Sequence, residues 1–205
     1  MSVLNRKERD RQLRRSDILR AAEHIFALKG YHKATIRDIA KEAQYGTGTV
    51  YLHFKNKHAL YFALLEEKLK HLLSIIKEKT GQVKDARKKL EIFILEGLTF
   101  FEENQDFFQI FASDSEGSEL YAEARVFKSP IGLQLQEYTA SVLKEAQSQE
   151  VISSSFDLEQ LCDVFTSLLK TITLKWLQRK EGKGENLVGL SEVVLKLFLY
   201  GAANK

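Results

Sequence analysis

The sequence predicts an all-α protein, with three short helices at the N-terminus followed by a longer helical bundle. Two observations favour helices throughout. The 205 residues include one proline and eleven glycines, so few positions interrupt a helix. Apolar residues recur at spacings of three and four, and no segment keeps the period-two alternation of a strand beyond a few residues. With 44% hydrophobic and 29% charged residues, the chain can bury a sizeable core.

The first three helices are predicted from apolar spacing and from their caps. A first amphipathic helix is expected over residues 6–29, with Gly30 as its C-cap. Thr35 opens a second helix by forming a capping box with the aspartate three positions later. After a break at residues 44–46, a third helix of about two turns is predicted for residues 47–53.

The rest of the chain is predicted to form longer helices separated by short polar breaks. Asn56 caps a fourth helix, and Pro130 marks the first turn of another, where proline is favoured. The predicted helices lie at residues 57–79, 90–101, from 130 onward, from 157 to about 180, and 186–202. We therefore expect two domains, residues 1–56 and residues 57–205.

The net charge of +3 is unevenly distributed along the chain. Residues 1–60 hold 13 Lys and Arg against 6 Asp and Glu, whereas residues 61–205 hold 18 against 22. A basic module of this kind suggests a polyanionic partner, most often nucleic acid. Charge alone is equally compatible with a solvated basic surface, so the local pattern has to decide.

Composition excludes several classes of protein. The longest run without Asp, Glu, Lys or Arg is residues 43–54, and a membrane-spanning helix needs about 20 apolar residues. The single cysteine, Cys162, cannot form an internal disulfide, which favours a reducing cytoplasm. The five histidines show no established metal-ligand spacing, and no nucleophile or phosphate-loop motif is present. We therefore expect no metal, no cofactor and no catalysis.

The second and third helices are separated by a three-residue turn inside the basic module, as in a helix-turn-helix. In that motif the second helix enters the major groove of DNA and presents its N-terminal residues to base edges. Here this helix begins with Thr47, Gly48 and Thr49, small residues that allow a close approach. Short patterns of this kind also arise by chance in helical proteins, and Tyr51 or His53 could simply pack at a helix junction.

A more specific signal comes from the residues in and around this motif. They are Ile18-Leu19-Arg20-Ala21-Ala22, Phe26, Gly30-Tyr31, Thr35-Ile36, Ile39-Ala40, Ala43, the run from Gly48 to Lys57, and Leu60. Over about residues 14–65 the chain strongly resembles the TetR family of bacterial transcriptional regulators. The resemblance implies an all-helical homodimer with a three-helix DNA-binding domain and a C-terminal domain for ligand binding and dimerisation. Most members are repressors that a small molecule releases from a palindromic operator.

Motif and resemblance together indicate the DNA-binding residues. Thr35 corresponds to a phosphate contact and Arg37 to a base or phosphate contact. The other expected positions are Thr47, Gly48, Thr49, Tyr51, His53, Lys55 and Lys57. Gln44 and Gly46 depart from the glycine and serine of most members, so the turn is open to a different shape. The basic arm over residues 6–15 either follows the minor groove or, in the preferred interpretation, adds phosphate attraction.

The C-terminal domain is rich in aromatic rings between residues 90 and 140. Such rings usually form core, but the resemblance implies a pocket among these helices, suited to a lipophilic effector such as a fatty acyl chain or a hydrophobic drug. The candidate ligand-binding residues are Phe93, Glu96, Phe100, Phe108, Phe111 and Tyr138. The resemblance also implies that the last two helices form the dimer interface. The candidates there are Phe165, Leu169, Trp176, Val194 and Phe198.

The predicted function is a TetR-like transcriptional regulator, most readily a repressor, that acts in the cytoplasm as a homodimer. Its expected partners are a double-stranded DNA operator and a small effector, with no membrane. Effector binding is expected to displace the long fourth helix and change the spacing of the two recognition helices. An enzyme and an adaptor that binds only protein are the rival classes. Failure to bind DNA fragments at low salt would favour the adaptor.

Overall fold

A computed structural model of the chain describes residues 6–108, 128–178 and 186–202. Within those ranges every regular element is a helix. The helices are α1 (Arg6–Lys33), α2 (Ile36–Glu42), α3 (Thr47–His53), α4 (Lys57–Thr80), α5 (Ala86–Glu103), α6 (Pro130–Ser148), α7 (Leu158–Gln178), a 3-10 turn (Val188–Leu190) and α8 (Ser191–Ala202). The predicted all-α class is confirmed.

The chain divides into two compact units, Met1–Glu67 and Lys68–Lys205. The first unit holds α1, α2, α3 and the beginning of α4, and the second holds the remaining helices. The predicted boundary coincides with the beginning of α4, whereas the division between the units falls after Glu67. The first turns of α4 belong to the first unit because Leu60 and Tyr61 are fully buried there. No described helix has the length and hydropathy needed to cross a membrane.

The core of the first unit draws one apolar face from each of its four helices. Helix α1 packs against α2, and α2 packs against α3. Ile18 of α1, Ile39 of α2 and Val50 of α3 are fully inaccessible to solvent, and Phe54 is buried directly after α3. Burial of each such side chain stabilises the fold by roughly 1.5–3 kcal/mol. Val50 and Phe54 are therefore core residues and not part of the DNA-facing surface.

The predicted caps set the helix ends in the first unit. Helix α1 is kinked at Gly30, whose φ of 72° is left-handed, and one further turn follows before the helix ends. The Thr35 hydroxyl accepts from the backbone N–H of Asp38 at 3.1 Å, and the Asp38 carboxylate accepts from the backbone N–H of Thr35 at 3.1 Å. Asn56 Oδ1 accepts from the backbone N–H of Ala59 at 2.7 Å, at the start of α4. These contacts confirm the predicted capping box and the asparagine cap.

The turn between α2 and α3 keeps a left-handed residue although no glycine is present at that position. Gln44 has a φ of 58° there. The neighbouring Tyr45 anchors the turn to α1, since its hydroxyl donates to Asp17 Oδ2 at 3.0 Å. Gly46 then acts as the N-cap of α3 without a side-chain hydrogen bond. The turn therefore has a conformation that costs glutamine roughly 1 kcal/mol.

In the second unit, α5 packs against α6, α7 and α8. Leu90, Ile94 and Leu98 of α5 are almost completely buried, and the helix predicted at residues 90–101 lies within α5. Helix α6 begins with Pro130 after a serine cap, and α7 begins after Asp157, which accepts from the backbone N–H of Gln160 at 3.0 Å. The predicted breaks at residues 113–118 and 182–184 lie outside the described residues.

Candidate functional site

The predicted recognition helix α3 has two opposite faces. Val50 faces the core, while Thr47, Gly48 and Tyr51 are exposed and Thr49 is half-buried. The exposed side contains the residues that the sequence nominated for contact with DNA. Helix α2 packs against α3, whose Val50 is buried, so the polar face of α3 is left to solvent.

The small residues at the start of α3 serve no packing need inside the protomer. A Cβ atom built on Gly46 or Gly48 would meet no protein atom within 4 Å. The space in front of these glycines is therefore open to an external partner. A close approach of DNA to this end of the helix is consistent with that space.

The start of α2 holds a carboxylate network that includes Thr35. The Thr35 hydroxyl donates to Asp38 Oδ2 at 2.8 Å, and Lys29 Nζ donates to Asp38 Oδ1 at 2.7 Å. The hydrogen bonds from Lys29 and Thr35 lower the pKa of Asp38 to about 2. Because the single hydroxyl hydrogen of Thr35 is used in this network, a phosphate contact through it would require that bond to break. Arg37 lies beside the network and is exposed.

Lys57, an expected DNA-binding residue, makes its described contacts inside the first unit. Its ammonium group donates to the backbone carbonyls of Tyr31 at 2.7 Å, Ala34 at 3.0 Å and His32 at 3.3 Å. It also lies 4.4 Å from the centre of the Tyr31 ring. Desolvation lowers the pKa of the Lys57 ammonium. Its first effect is thus to tie the start of α4 to the last turn of α1 and to Ala34, which follows that helix, whereas the neighbouring Lys55 is exposed.

The basic arm is helical from Arg6 onward, because α1 begins at that residue. Both interpretations of the arm, a minor-groove contact and phosphate attraction, stay predictions. Lys7, Asp10, Arg11, Arg14 and His53 line a groove of about 240 Å³ between this part of α1 and the end of α3.

The position of His53 in this groove changes the pKa of its imidazole. Partial burial is the main factor that lowers the pKa of its imidazole, and the nearby guanidinium groups of Arg11, Arg14 and Arg15 lower it further. Arg15 itself is paired with Glu67 at 3.5 Å and lies 5.3 Å from the Phe54 ring centre. The site is therefore electropositive around His53.

Sequence reasoning missed Leu52, whose side chain is 81% exposed on α3. The signal was available, since Val50 and Phe54 already satisfy the buried face and leave the residue between them pointing elsewhere. An exposed leucine beside Tyr51 is suited to an apolar contact, such as one with a thymine methyl group.

The predicted ligand-binding rings lie in two separate clusters of the second unit. Phe93 packs edge-on against Phe165 of α7, with ring centres 5.5 Å apart. Phe100 and Phe108 belong to another group, with ring centres 6.1 Å apart and the Phe101 ring close to both. Phe111 lies outside the described residues.

The two polar ligand candidates lie near the end of α4. Glu96 accepts from Lys79 Nζ at 2.6 Å, and its side chain is only 13% exposed. The hydroxyls of Tyr138 and Thr80 are hydrogen-bonded at 2.5 Å. A ligand group that bound Glu96 would have to share this carboxylate with the ammonium of Lys79.

The predicted dimer residues need a correction. Phe165, Val194 and Phe198 are buried within the protomer, so they are core residues and their surface is not open to a partner. Leu169 and Trp176 are half-buried. The large exposed apolar side chains on the same two helices are Val164, Val193, Leu197 and Tyr200. The apolar spacing of the sequence indicates which two helices carry exposed apolar surface. It does not indicate which face of those helices stays exposed in the protomer.

No cluster of three or more potential metal ligands occurs among the described residues. Residues 18–64 match the family described as bacterial regulatory proteins, tetR family. The matched segment contains the buried faces of α1 to α3, the turn at Gln44 and the first turns of α4.

Longer relatives extend this similarity along the chain. The fatty acid metabolism regulator protein of Bacillus subtilis (strain 168) is 25% identical over 189 residues, which cover 92% of this chain and 95% of that protein. The transcriptional activator FasR of Mycolicibacterium smegmatis is 32% identical over 119 residues, 58% of this chain and 49% of that protein.

A solved structure shares the fold of the whole chain. The transcriptional regulator FadR from Bacillus subtilis, in complex with stearoyl-CoA, superposes with a TM-score of 0.76 at 23% identity, covering 91% of this chain and 98% of that one. The relatives are transcriptional regulators, not enzymes. With the helix-turn-helix geometry and the match of its N-terminal unit, the chain belongs to the TetR family of DNA-binding transcriptional regulators.

Proposed function

We propose that this protein binds a palindromic operator as a homodimer, represses transcription there and is released by a long-chain fatty acyl effector. The observation that carries DNA binding is the polar, solvent-facing side of α3 opposite its buried Val50. The likeness to a fatty acid metabolism regulator over 92% of the chain supports the choice of effector.

Base recognition is assigned to the exposed residues of the helix-turn-helix. Arg37 is suited to guanine because its guanidinium can donate to O6 and N7 together. Thr47 and Gly48 bring the start of α3 close to base edges, and Leu52 is available for a thymine methyl. Tyr51 and Lys55 are assigned to phosphates, which position the protein without reading sequence.

Dimerisation is assigned to the exposed apolar face of α7 and α8. Val193, Leu197 and Tyr200 follow one another at spacings of four and three, so they lie on one side of α8. Val164 adds an exposed apolar side chain on α7. Two recognition helices must meet half-sites about 34–36 Å apart, which requires a dimer.

We place the effector-binding site in the second unit because of the aromatic side chains found there. The ring group of Phe100, Phe101, Phe107 and Phe108 provides apolar surface for an acyl chain. The regulator whose fold this chain shares was solved with stearoyl-CoA. A fatty acyl thioester is therefore the first compound class to test, with Glu96 and Tyr138 as candidate polar contacts.

Release is assigned to a movement of α4, the continuous helix that begins in the first unit and ends in the second. Effector binding would shift this helix and alter the spacing of the two copies of α3. Allosteric coupling energies of about 1–3 kcal/mol correspond to a change of roughly 5- to 150-fold in operator affinity.

Selection of binding sites from a random DNA pool, followed by fluorescence anisotropy on the selected duplex, tests the proposal. We expect a palindromic site, and we expect stearoyl-CoA to weaken binding by roughly 5- to 150-fold while free coenzyme A does not. Tighter binding with stearoyl-CoA would instead indicate an effector-dependent activator. No binding to any duplex at low salt would favour the protein adaptor.

A further inference from the structure

Helix α1 extends beyond its packed part as a cationic segment that reaches the end of the recognition helix. Lys7, Arg11 and Arg14 follow one another at spacings of four and three, so their side chains lie along one side of α1. With Asp10 and His53 they line the groove of about 240 Å³. Three permanent cations against one carboxylate leave the groove positive.

The positive charges of these three side chains are left unpaired within the described residues. Within the described residues, the side chains of Lys7, Arg11 and Arg14 have no hydrogen bond and no ion pair, in contrast to Arg15 with Glu67 and Arg20 with Asp17. Like charges held close on one face repel each other, so without a counter-charge the arrangement costs stability. An external anion would relieve that repulsion.

We infer that this groove binds a phosphate of the DNA backbone, so that α1 extends the DNA contact beyond the helix-turn-helix. The inference rests on the proposed operator binding and deepens it by assigning a further contact. A phosphodiester offers only acceptor oxygens and one negative charge, which complement the guanidinium and ammonium donors of the groove.

The position of the groove favours a DNA phosphate over a free anion. His53 ends the same short helix whose exposed Tyr51 is assigned to the DNA backbone. The groove therefore adjoins the helix that is assigned to DNA. Burial and the surrounding arginines lower the pKa of His53 in the free protein, and a phosphate at this place would raise it again.

The test compares Arg11→Ala with Arg6→Ala in the full chain, using the selected operator at salt concentrations from 50 to 300 mM. Both variants lose one exposed positive charge from α1, but only Arg11 lines the groove. We expect Arg11→Ala to reduce the slope of log affinity against log salt by about one for each bound protomer, and affinity to fall about eightfold per contact at 0.1 M. Arg6→Ala should change the slope much less.

A second measurement follows the proton of His53. The groups that face it are Lys7, Asp10, Arg11, Arg14 and Arg15. Because a bound phosphate favours the imidazolium form, operator affinity should rise as the pH falls from about 8 to 6, and His53→Asn should remove that rise. Circular dichroism would verify that each variant is folded.

Equal salt slopes for Arg11→Ala and Arg6→Ala would overturn the inference while leaving the proposed operator binding intact. The same holds if His53→Asn keeps the whole pH dependence of the wild-type protein. Failure of the wild-type protein to bind any duplex would overturn both the proposed function and this inference.

Discussion

At Lys57 a single ammonium group bridges α4 and the end of α1. The carbonyls of Tyr31, His32 and Ala34 all accept from it. Since an unpaired, partly buried carbonyl costs about 1–3 kcal/mol, these bonds matter for folding before any DNA is present. The bond to His32 is the longest at 3.3 Å, and it is the one that a phosphate oxygen could most easily replace.

Substitution of Lys57 by methionine should therefore have two effects. It keeps the aliphatic stem but removes the donors, so we expect the free energy of unfolding to fall by about 1–3 kcal/mol. Binding to all DNA sequences should weaken, with the salt slope reduced by about one, as for a lost phosphate contact. Urea unfolding and anisotropy titrations measure the two quantities.

Lys55→Met is the matched control, because Lys55 is an exposed lysine two residues earlier. It should lower the salt slope without a loss of stability. If Lys57→Met is as stable as Lys55→Met, the internal role of Lys57 is refuted. A changed base preference with an unchanged salt slope would refute its phosphate role.

Among the elements, the turn between α2 and α3 has a backbone conformation that lowers the free energy of unfolding by a measurable amount. Gln44 holds a φ of 58°, where the Cβ of any residue other than glycine is crowded by the backbone. Tyr45 secures the turn through its hydrogen bond to Asp17 at 3.0 Å, so tertiary contact maintains a conformation that the local sequence disfavours. The pKa of Tyr45 is raised because its hydroxyl donates to that carboxylate.

Replacement of Gln44 by glycine should increase the free energy of unfolding by about 1 kcal/mol, because glycine relieves the left-handed strain. For a chain of this size that corresponds to a rise of roughly 2–4 °C in Tm. Differential scanning calorimetry would measure it. Gln44→Ala is the control, since it shortens the side chain but keeps the Cβ, and an equal gain in that variant would contradict the assignment to backbone strain.

For the whole molecule, the arrangement of α7 and α8 separates core from candidate interface. Phe165 and Phe198 pack edge-on with ring centres 5.0 Å apart inside the protomer. The opposite side of the pair carries Val164, Val193 and Leu197, each of which stays at least 50% exposed in the protomer. Exposed apolar surface of this kind is typical of association sites, in line with the proposed dimer.

Leu197→Glu should therefore break the dimer and spare the fold. The side chain is 61% exposed, and a twofold interface would bring two unpaired carboxylates into an apolar contact. A buried, unpaired carboxylate costs about 3 kcal/mol or more. We therefore expect the Kd of the dimer to be at least about 100-fold higher than for the wild-type protein. Sedimentation velocity at micromolar concentration would measure it.

Leu133→Glu provides the comparison, because Leu133 is an exposed leucine on α6, away from the proposed interface. It should sediment like the wild-type protein. A monomeric wild-type protein at micromolar concentration would contradict the dimer itself, and a dimeric Leu197→Glu variant would contradict the assigned face.

Local signals account for what could be predicted about the fold. Caps such as Thr35 and Asn56 bind partners three residues away, and the apolar spacing of a helix repeats within two turns. Both signals can therefore be recognised in a short segment of sequence. The same holds for the exposed start of α3. The candidate dimer residues show the limit, because Val194 and Val193 are neighbours in sequence and only one of them is buried.

The sequence by itself determined that the chain is helical, where its DNA-binding motif lies and which family it belongs to, because these follow from short-range periodicity, caps and motif residues. Only the tertiary structure decided that Lys57 binds carbonyls more than twenty positions away, that Phe165 is core, and that Arg11 and His53 share one groove. The physical reason is that burial and hydrogen bonding depend on which distant residues meet. Local pattern states only which residues are able to form such contacts.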